Sequence, residues 1–129
     1  MAKRVVLVGQ CGIDGPMLQS EIESILGSVE VYACNGEGEL KEVCDRGVDL
    51  VLFNRELNWG FEDRSGVEAI RKLKGEHPEV KMMLVSDYPE AQAEAVAAGA
   101  VPGFGKADVG SARVAEAIGE AIGGREGRG

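Results

Sequence analysis

The sequence predicts a doubly wound α/β domain, a parallel five-stranded sheet with helices on both faces. Three observations predict it. The runs Val5-Val6-Leu7-Val8, Leu50-Val51-Leu52-Phe53 and Met82-Met83-Leu84-Val85 are apolar at every position rather than every other one, as strands covered on both faces must be. Segments with helical spacing of apolar residues lie between such runs. Strand and helix alternate strictly, which puts a crossover helix between each pair of parallel strands.

Taken in order, Val5 to Val8 is the first strand. Residues 15–26 carry Met17, Leu18, Ile22, Ile25 and Leu26 at helical spacing, and Gly27 follows as a stop. Val29 to Ala33 is the second strand. Glu39 to Arg46 is a short helix with Leu40, Val43 and Cys44 inward, ended by Gly47. Leu50 to Phe53 is the third strand. Ser65-Gly66-Val67-Glu68 has the capping-box pattern and opens a helix running to about residue 76, with Val67, Ile70 and Leu73 inward. Val80 to Val85 is the fourth strand, and Pro89 to Ala98 an alanine-rich helix that tolerates proline in its first turn. Val101 to Phe104 is the fifth strand. Asp108 is placed to cap the last helix, whose inner face is Val114, Ala115, Ile118 and Ile122. Five strands in this pattern favour the flavodoxin-like order 2-1-3-4-5, with the functional cleft at the C-terminal ends of the strands.

The chain of 129 residues suits one domain, expected over residues 1–123, followed by a tail of linker composition at 124–129. A net charge of −8 weighs against nucleic acid as a partner. No apolar run approaches bilayer length, and the N-terminus shows no signal-peptide pattern, so a cytoplasmic protein without membrane contact is expected. Three cysteines at irregular spacing make no disulfide framework.

The residues just past the strands should line the cleft: Gly9-Gln10-Cys11, Cys34-Asn35-Gly36, Asn54-Arg55-Glu56, Ser86-Asp87 and Gly105-Lys106. In these positions the chain resembles the receiver (CheY-like) domain of bacterial response regulators. Ala33-Cys34-Asn35-Gly36 resembles the A-x-N-G turn after the second strand, and Asp49-Leu50-Val51-Leu52-Phe53-Asn54 resembles D-L-V-L-L-D, whose last residue accepts phosphate in that family. Ser86 stands where the family has its signalling Thr or Ser. Ala98-Gly99-Ala100 followed by Lys106 resembles the segment that ends in the family lysine. The resemblance covers roughly residues 3–122.

It also implies what has changed. The family binds Mg2+ through an acidic pair after the first strand together with the acceptor aspartate. Here Gly9 and Gln10 occupy the pair positions and Asn54 the acceptor position. Mg2+ wants carboxylate oxygens, and an amide nitrogen is no nucleophile toward a phosphoryl donor, so neither the metal site nor aspartyl phosphorylation is expected, and no cofactor. Gly103 stands at the family's switch aromatic, with Phe104 one place off and directed to the other face of the sheet. Ala107 replaces the proline after the lysine. Ser86 and Lys106 remain. They could form an anion or small-ligand site, or Lys106 could bond Asn54 and loop carbonyls and lock one conformation. Asp14, Glu56 and Asp87 are candidate counter-charges for Lys106.

The loop from Asn54 to Arg64 is longer than the family's by about four residues and carries Trp59, the chain's only tryptophan, and Phe61. These aromatics are candidates for partner contact or a lid, or for covering an apolar rim. Cys11 and Cys34 follow neighbouring strands and could form a redox pair or simply fill tight turns, whereas Cys44 belongs to the core. The lone His77 precedes Pro78 on the side away from the cleft. No nucleophile–base pair is visible, so no enzyme is expected. Two functions follow. One is a phosphorylation-independent receiver-type module of two-component signalling that binds a protein partner, with a homodimer through the fourth helix, fifth strand and fifth helix implied by the resemblance. The other is a small-ligand or anion sensor.

Overall fold

In the computed structural model, residues 3–9, 14–34, 36–57 and 65–122 are described, with the side chain of Asp14 excepted. Gln10, Cys11, Asn35, Trp59, Phe61 and the tail at 124–129 lie outside the described residues, so the expectations placed on them stay as they are. Five strands, β1 (Lys3–Val8), β2 (Val29–Cys34), β3 (Leu50–Asn54), β4 (Met82–Val85) and β5 (Val101–Phe104), form one parallel sheet in the order β2-β1-β3-β4-β5. The helices are α1 (Asp14–Leu26), α2 (Glu37–Arg46), α3 (Gly66–Glu76), α4 (Pro89–Ala98) and α5 (Ala112–Ile122), with a short 3-10 turn over Lys106–Asp108.

The continuous apolar strands divide between two cores, as alternation demands. Val6, Val8, Val51, Phe53, Met82 and Leu84 face α2, α3 and α4, with Ile70, Leu73 and Ala95. Val5, Leu7, Leu50, Leu52, Met83, Val85 and Phe104 face α1 and α5, packed with Leu18, Ile22, Val114 and Ile118. Every one of these strand side chains is buried. At about 25 cal/mol per Å² of apolar surface removed from water, such a two-sided core is the main force holding the sheet.

Several details differ from the sequence reading. Met17 is 50% exposed, because the buried stripe of α1 starts at Leu18. In α5 the inner face runs Val114, Ile118 and Ala121, so Ala115 is exposed and Ile122 only half-buried. β4 begins at Met82, because Val80 belongs to the preceding turn, where its N–H donates to the His77 carbonyl at 3.1 Å. Ser65 does cap α3, its Oγ accepting the Glu68 N–H at 3.3 Å, but the Glu68 carboxylate turns to Arg71 instead of completing the box. Asp108 does not cap α5. Its carboxylate folds back to accept the Gly105 N–H at 2.9 Å and so closes the 3-10 turn.

The sheet is irregular at one place. Met83 pairs with Val101 and Val85 with Phe104, so Pro102 and Gly103 together oppose Leu84. This is the two-against-one count of a β-bulge, and a Pro-Gly pair is a usual composition for one.

Candidate functional site

The cleft at the C-terminal ends of β3, β4 and β5 is a cavity of about 180 Å³ that brings Asn54, Ser86, Asp87, Tyr88 and Lys106 together. Asn54 ends β3 half-buried. Its Nδ2 donates to the Gly9 carbonyl at 3.1 Å, and its Oδ1 accepts the Arg55 N–H at 3.1 Å. The amide thus uses both its donor and its acceptor to hold the turns after β1 and β3. A carboxylate could keep the second bond but not the first.

Gly9 follows β1 with φ +75°, and a Cβ built there would lie 2.7 Å from Leu57 Cδ2. Leu57 is 5% exposed and belongs to the core on the α2–α4 side. The space an acidic side chain after β1 would use is therefore apolar and filled, and the backbone conformation there suits glycine. Of the residues described at the family's metal positions, Gly9 and Asn54 offer Mg2+ no carboxylate. Among the described residues, no three His, Cys, Asp or Glu side chains converge as a metal would require.

Ser86 is 7% exposed, its N–H donating to the Phe104 carbonyl at 2.9 Å and its Oγ accepting the Tyr88 N–H at 3.2 Å. Lys106 is exposed on the cleft wall. The candidate counter-charges Glu56 and Asp87 both line this cleft with Lys106. Glu56 pairs with Arg55 at 3.3 Å, and Asp87 Oδ1 accepts the Ala107 N–H at 3.2 Å. A proline at 107 could not make that bond, and all described peptide bonds are trans. Across the mouth of the cleft, the Arg55 guanidinium lies 4.8 Å over the Tyr88 ring, a cation–π contact joining the β3–α3 connection to the start of α4.

Sequence reasoning missed Gln92. From α4 its Nε2 donates toward the carbonyls of Leu84 at 2.9 Å, Ser86 at 3.0 Å and Phe104 at 3.3 Å, while its Oε1 accepts the Gly103 N–H at 3.2 Å. One amide therefore adds polar partners across the bulged ladder between β4 and β5. Gly103 makes room for it, because a Cβ there would fall inside contact distance of the Leu84 carbonyl and 2.9 Å from Met83 Cγ. The available signal was the one uncharged polar side chain in an alanine-rich helix, paired with a glycine inside a strand. Phe104 points into the α1–α5 core, 1% exposed.

Cys44 belongs to the core as expected, and Cys34 joins it there. Cys34 and Cys44 are both buried in the core on the α2–α4 side. Burial and the nearby Glu39 charge push the Cys34 thiol up to about 11. Burial, then neighbouring Cys34 and the acidic residues around it, push Cys44 up to about 11. Both are therefore protonated thiols near neutral pH. His77, at the end of α3, lies away from the cleft beside Asp45 at 3.4 Å and Glu79 at 3.6 Å. Among the described residues no helix is long and apolar enough to cross a membrane.

No family model matches this sequence, and no curated protein does. Solved structures are similar throughout its length. A CheY-like response regulator receiver domain protein from Methanospirillum hungatei superposes with a TM-score of 0.72 at 25% identity, covering 100% of both chains. A response regulator from Thermotoga maritima gives 0.75 at 21% identity over 95% of this chain and 98% of its own. The signal receiver domain of a DNA-binding response regulator from Colwellia psychrerythraea gives 0.73 at 13% identity over 92% and 96%.

Proposed function

We propose that this chain, which has the CheY-like fold of a response regulator receiver domain, is a signalling module of the two-component type that acts by contact with a protein partner and without aspartyl phosphorylation. The observation that carries this is the pairing of Asn54 with Gly9. The amide at the acceptor position is spent on the turn after β1, and Leu57 fills the space beside that turn. A receiver's chemistry needs a carboxylate nucleophile and a metal to offset phosphoryl charge, and Asn54 and Gly9 supply no carboxylate for either. The Gln92 amide, bonded across β4 and β5, supports the same reading, because it holds α4 to the sheet through backbone groups and needs no phosphoryl group.

Partner contact is the activity left to such a module. Self-association through α4, β5 and α5 is one form of it, and Val96 on α4 is 44% exposed. The cytoplasm is the compartment that suits a partner of this kind. A second reading, an anion or small-ligand sensor, rests on the 180 Å³ cleft with Ser86 and Lys106 on its wall.

The test is intact-protein mass measurement after incubation with acetyl phosphate and Mg2+, beside a phosphorylatable receiver as control. The expected result is no added phosphoryl group. A hydroxylamine-sensitive phosphoryl adduct on this chain overturns the proposal. Amide shifts confined to Ser86, Asp87 and Lys106 on titration with inorganic phosphate would favour the sensor reading instead.

A further inference from the structure

We propose that a second groove, between residues 55–57 after β3, the start of α3 and the first turns of α4, docks a basic peptide segment of the partner protein, anchored by an apolar side chain. This rests on the partner-contact reading above and names its surface. The groove is open to solvent, with a volume of about 750 Å³, within the range of clefts that take a ligand. Its floor is apolar, formed by Leu57, Val67 and Ala91, all buried yet lining it. Tyr88 stands on the rim 57% exposed, with Arg55 over its ring, which leaves aromatic surface for a second contact. Apolar floors with an aromatic at the edge are where anchoring side chains gain most.

The rim sets the sign of the partner. Glu56, Glu90 and Glu94 line the groove, and all three are exposed. Among the described residues the one cation lining it, Arg55, is already bound to the Glu56 carboxylate and stacked on Tyr88. Arg71, close enough to feel the Glu94 charge, is held by Glu68. The whole chain carries −8, so its long-range field draws cationic segments toward this rim.

An anion would find little here, although two helices start beside the groove. α4 opens on Pro89, which has no N–H, and Ser65 Oγ already takes the Glu68 N–H at the start of α3. Glu90, in the first turn of α4, adds a negative charge there that repels an anion further.

The experiment titrates the isotope-labelled full chain with two end-blocked peptides, Lys-Lys-Leu-Lys-Lys and Lys-Lys-Gly-Lys-Lys, and follows backbone amide shifts. The leucine peptide should move Val67, Ala91 and Glu94 and bind about tenfold more tightly than the glycine peptide, as burial of one leucine side chain allows. The double variant Glu90→Lys, Glu94→Lys should weaken it about tenfold while leaving the remaining spectrum unchanged, since both side chains are exposed. Equal binding of the two peptides, shifts scattered over other acidic faces, or indifference to the double variant each overturn the groove as the docking site. The acetyl phosphate experiment does not touch this groove, so it judges the broader reading separately.

Discussion

Gln92 and Gly103 are complementary across the α4–β5 boundary: the glycine leaves the space, and the glutamine amide fills it and accepts the Gly103 N–H at 3.2 Å. In a receiver this strand position carries a switch aromatic, as the family resemblance implies. Here a bonded amide joins helix and sheet, so α4 is anchored by polar bonds to the Leu84, Ser86 and Phe104 carbonyls.

Removing that amide strands several backbone groups of the bulge. Gln92→Ala should lower unfolding free energy by about 1–3 kcal/mol. Gln92→Glu should cost more, since a carboxylate keeps the bond from Gly103 but faces three carbonyls. Gly103→Ala should cost about 1–3 kcal/mol through its collision with the Leu84 carbonyl. Urea denaturation of the three variants measures all of this. An unchanged midpoint for Gln92→Ala would show that the clamp contributes nothing.

Leu57 is a core residue reached by an irregular connection. Leu57→Ala should open a cavity beside Gly9 and Asn54 and cost about 2–5 kcal/mol. Thermal or chemical unfolding reads this directly. A loss below about 1 kcal/mol would mean that the site collapses freely and that the leucine is not what closes the space.

Restoring the acceptor should not restore the chemistry. Asn54→Asp gives up the donor to the Gly9 carbonyl, with a loss of about 1–3 kcal/mol. It should still gain no phosphoryl group from acetyl phosphate and Mg2+, because Gly9 supplies no carboxylate and Leu57 stands against any side chain placed there. Intact mass after incubation is the measurement, and efficient labelling would mean that the acceptor alone had been lost.

The buried thiols make a prediction in pH. Folded Cys34 and Cys44 titrate near 11, above the value of about 8.5 for a free cysteine. Below the unfolded value both states keep the proton and stability is insensitive to these groups. Above it the unfolded chain releases protons that the folded chain retains, so stability should fall as pH rises from about 9 to about 11. Reaction with a thiol reagent at neutral pH should be slow for both residues until denaturant is added. Rapid reaction of Cys34 in the native protein would contradict its burial.

The sheet was legible because its signal is redundant. Every residue from Val5 to Val8 and from Leu50 to Phe53 had to be buried, and no competing period fits. Single helical positions were less so. Met17 sits one place round from the buried stripe, and Ala115 and Ala121 cannot be ranked by composition when the whole helix is alanine-rich. Asp108 was misread because a carboxylate at a turn has two N–H groups within reach, and the nearer turn won it. The cleft trio of Asn54, Ser86 and Lys106 came from strand ends and is assembled in space. Leu57 and Gln92 could not be found that way. Each acts through a gap left by a glycine on another element, a relation that only the folded chain creates.

The bulge has a last consequence, for the borders of the sheet. A border strand with free amide groups can template another chain. β5 is poorly made for that, with its register broken and Pro102 presenting no N–H. β2 is the opposite border, six residues in unbroken register with β1 and with Tyr32 and Ala33 exposed. Aggregation of this protein under stress would therefore grow from the β2 border, and a lysine introduced there should suppress it where the same change on β5 would not.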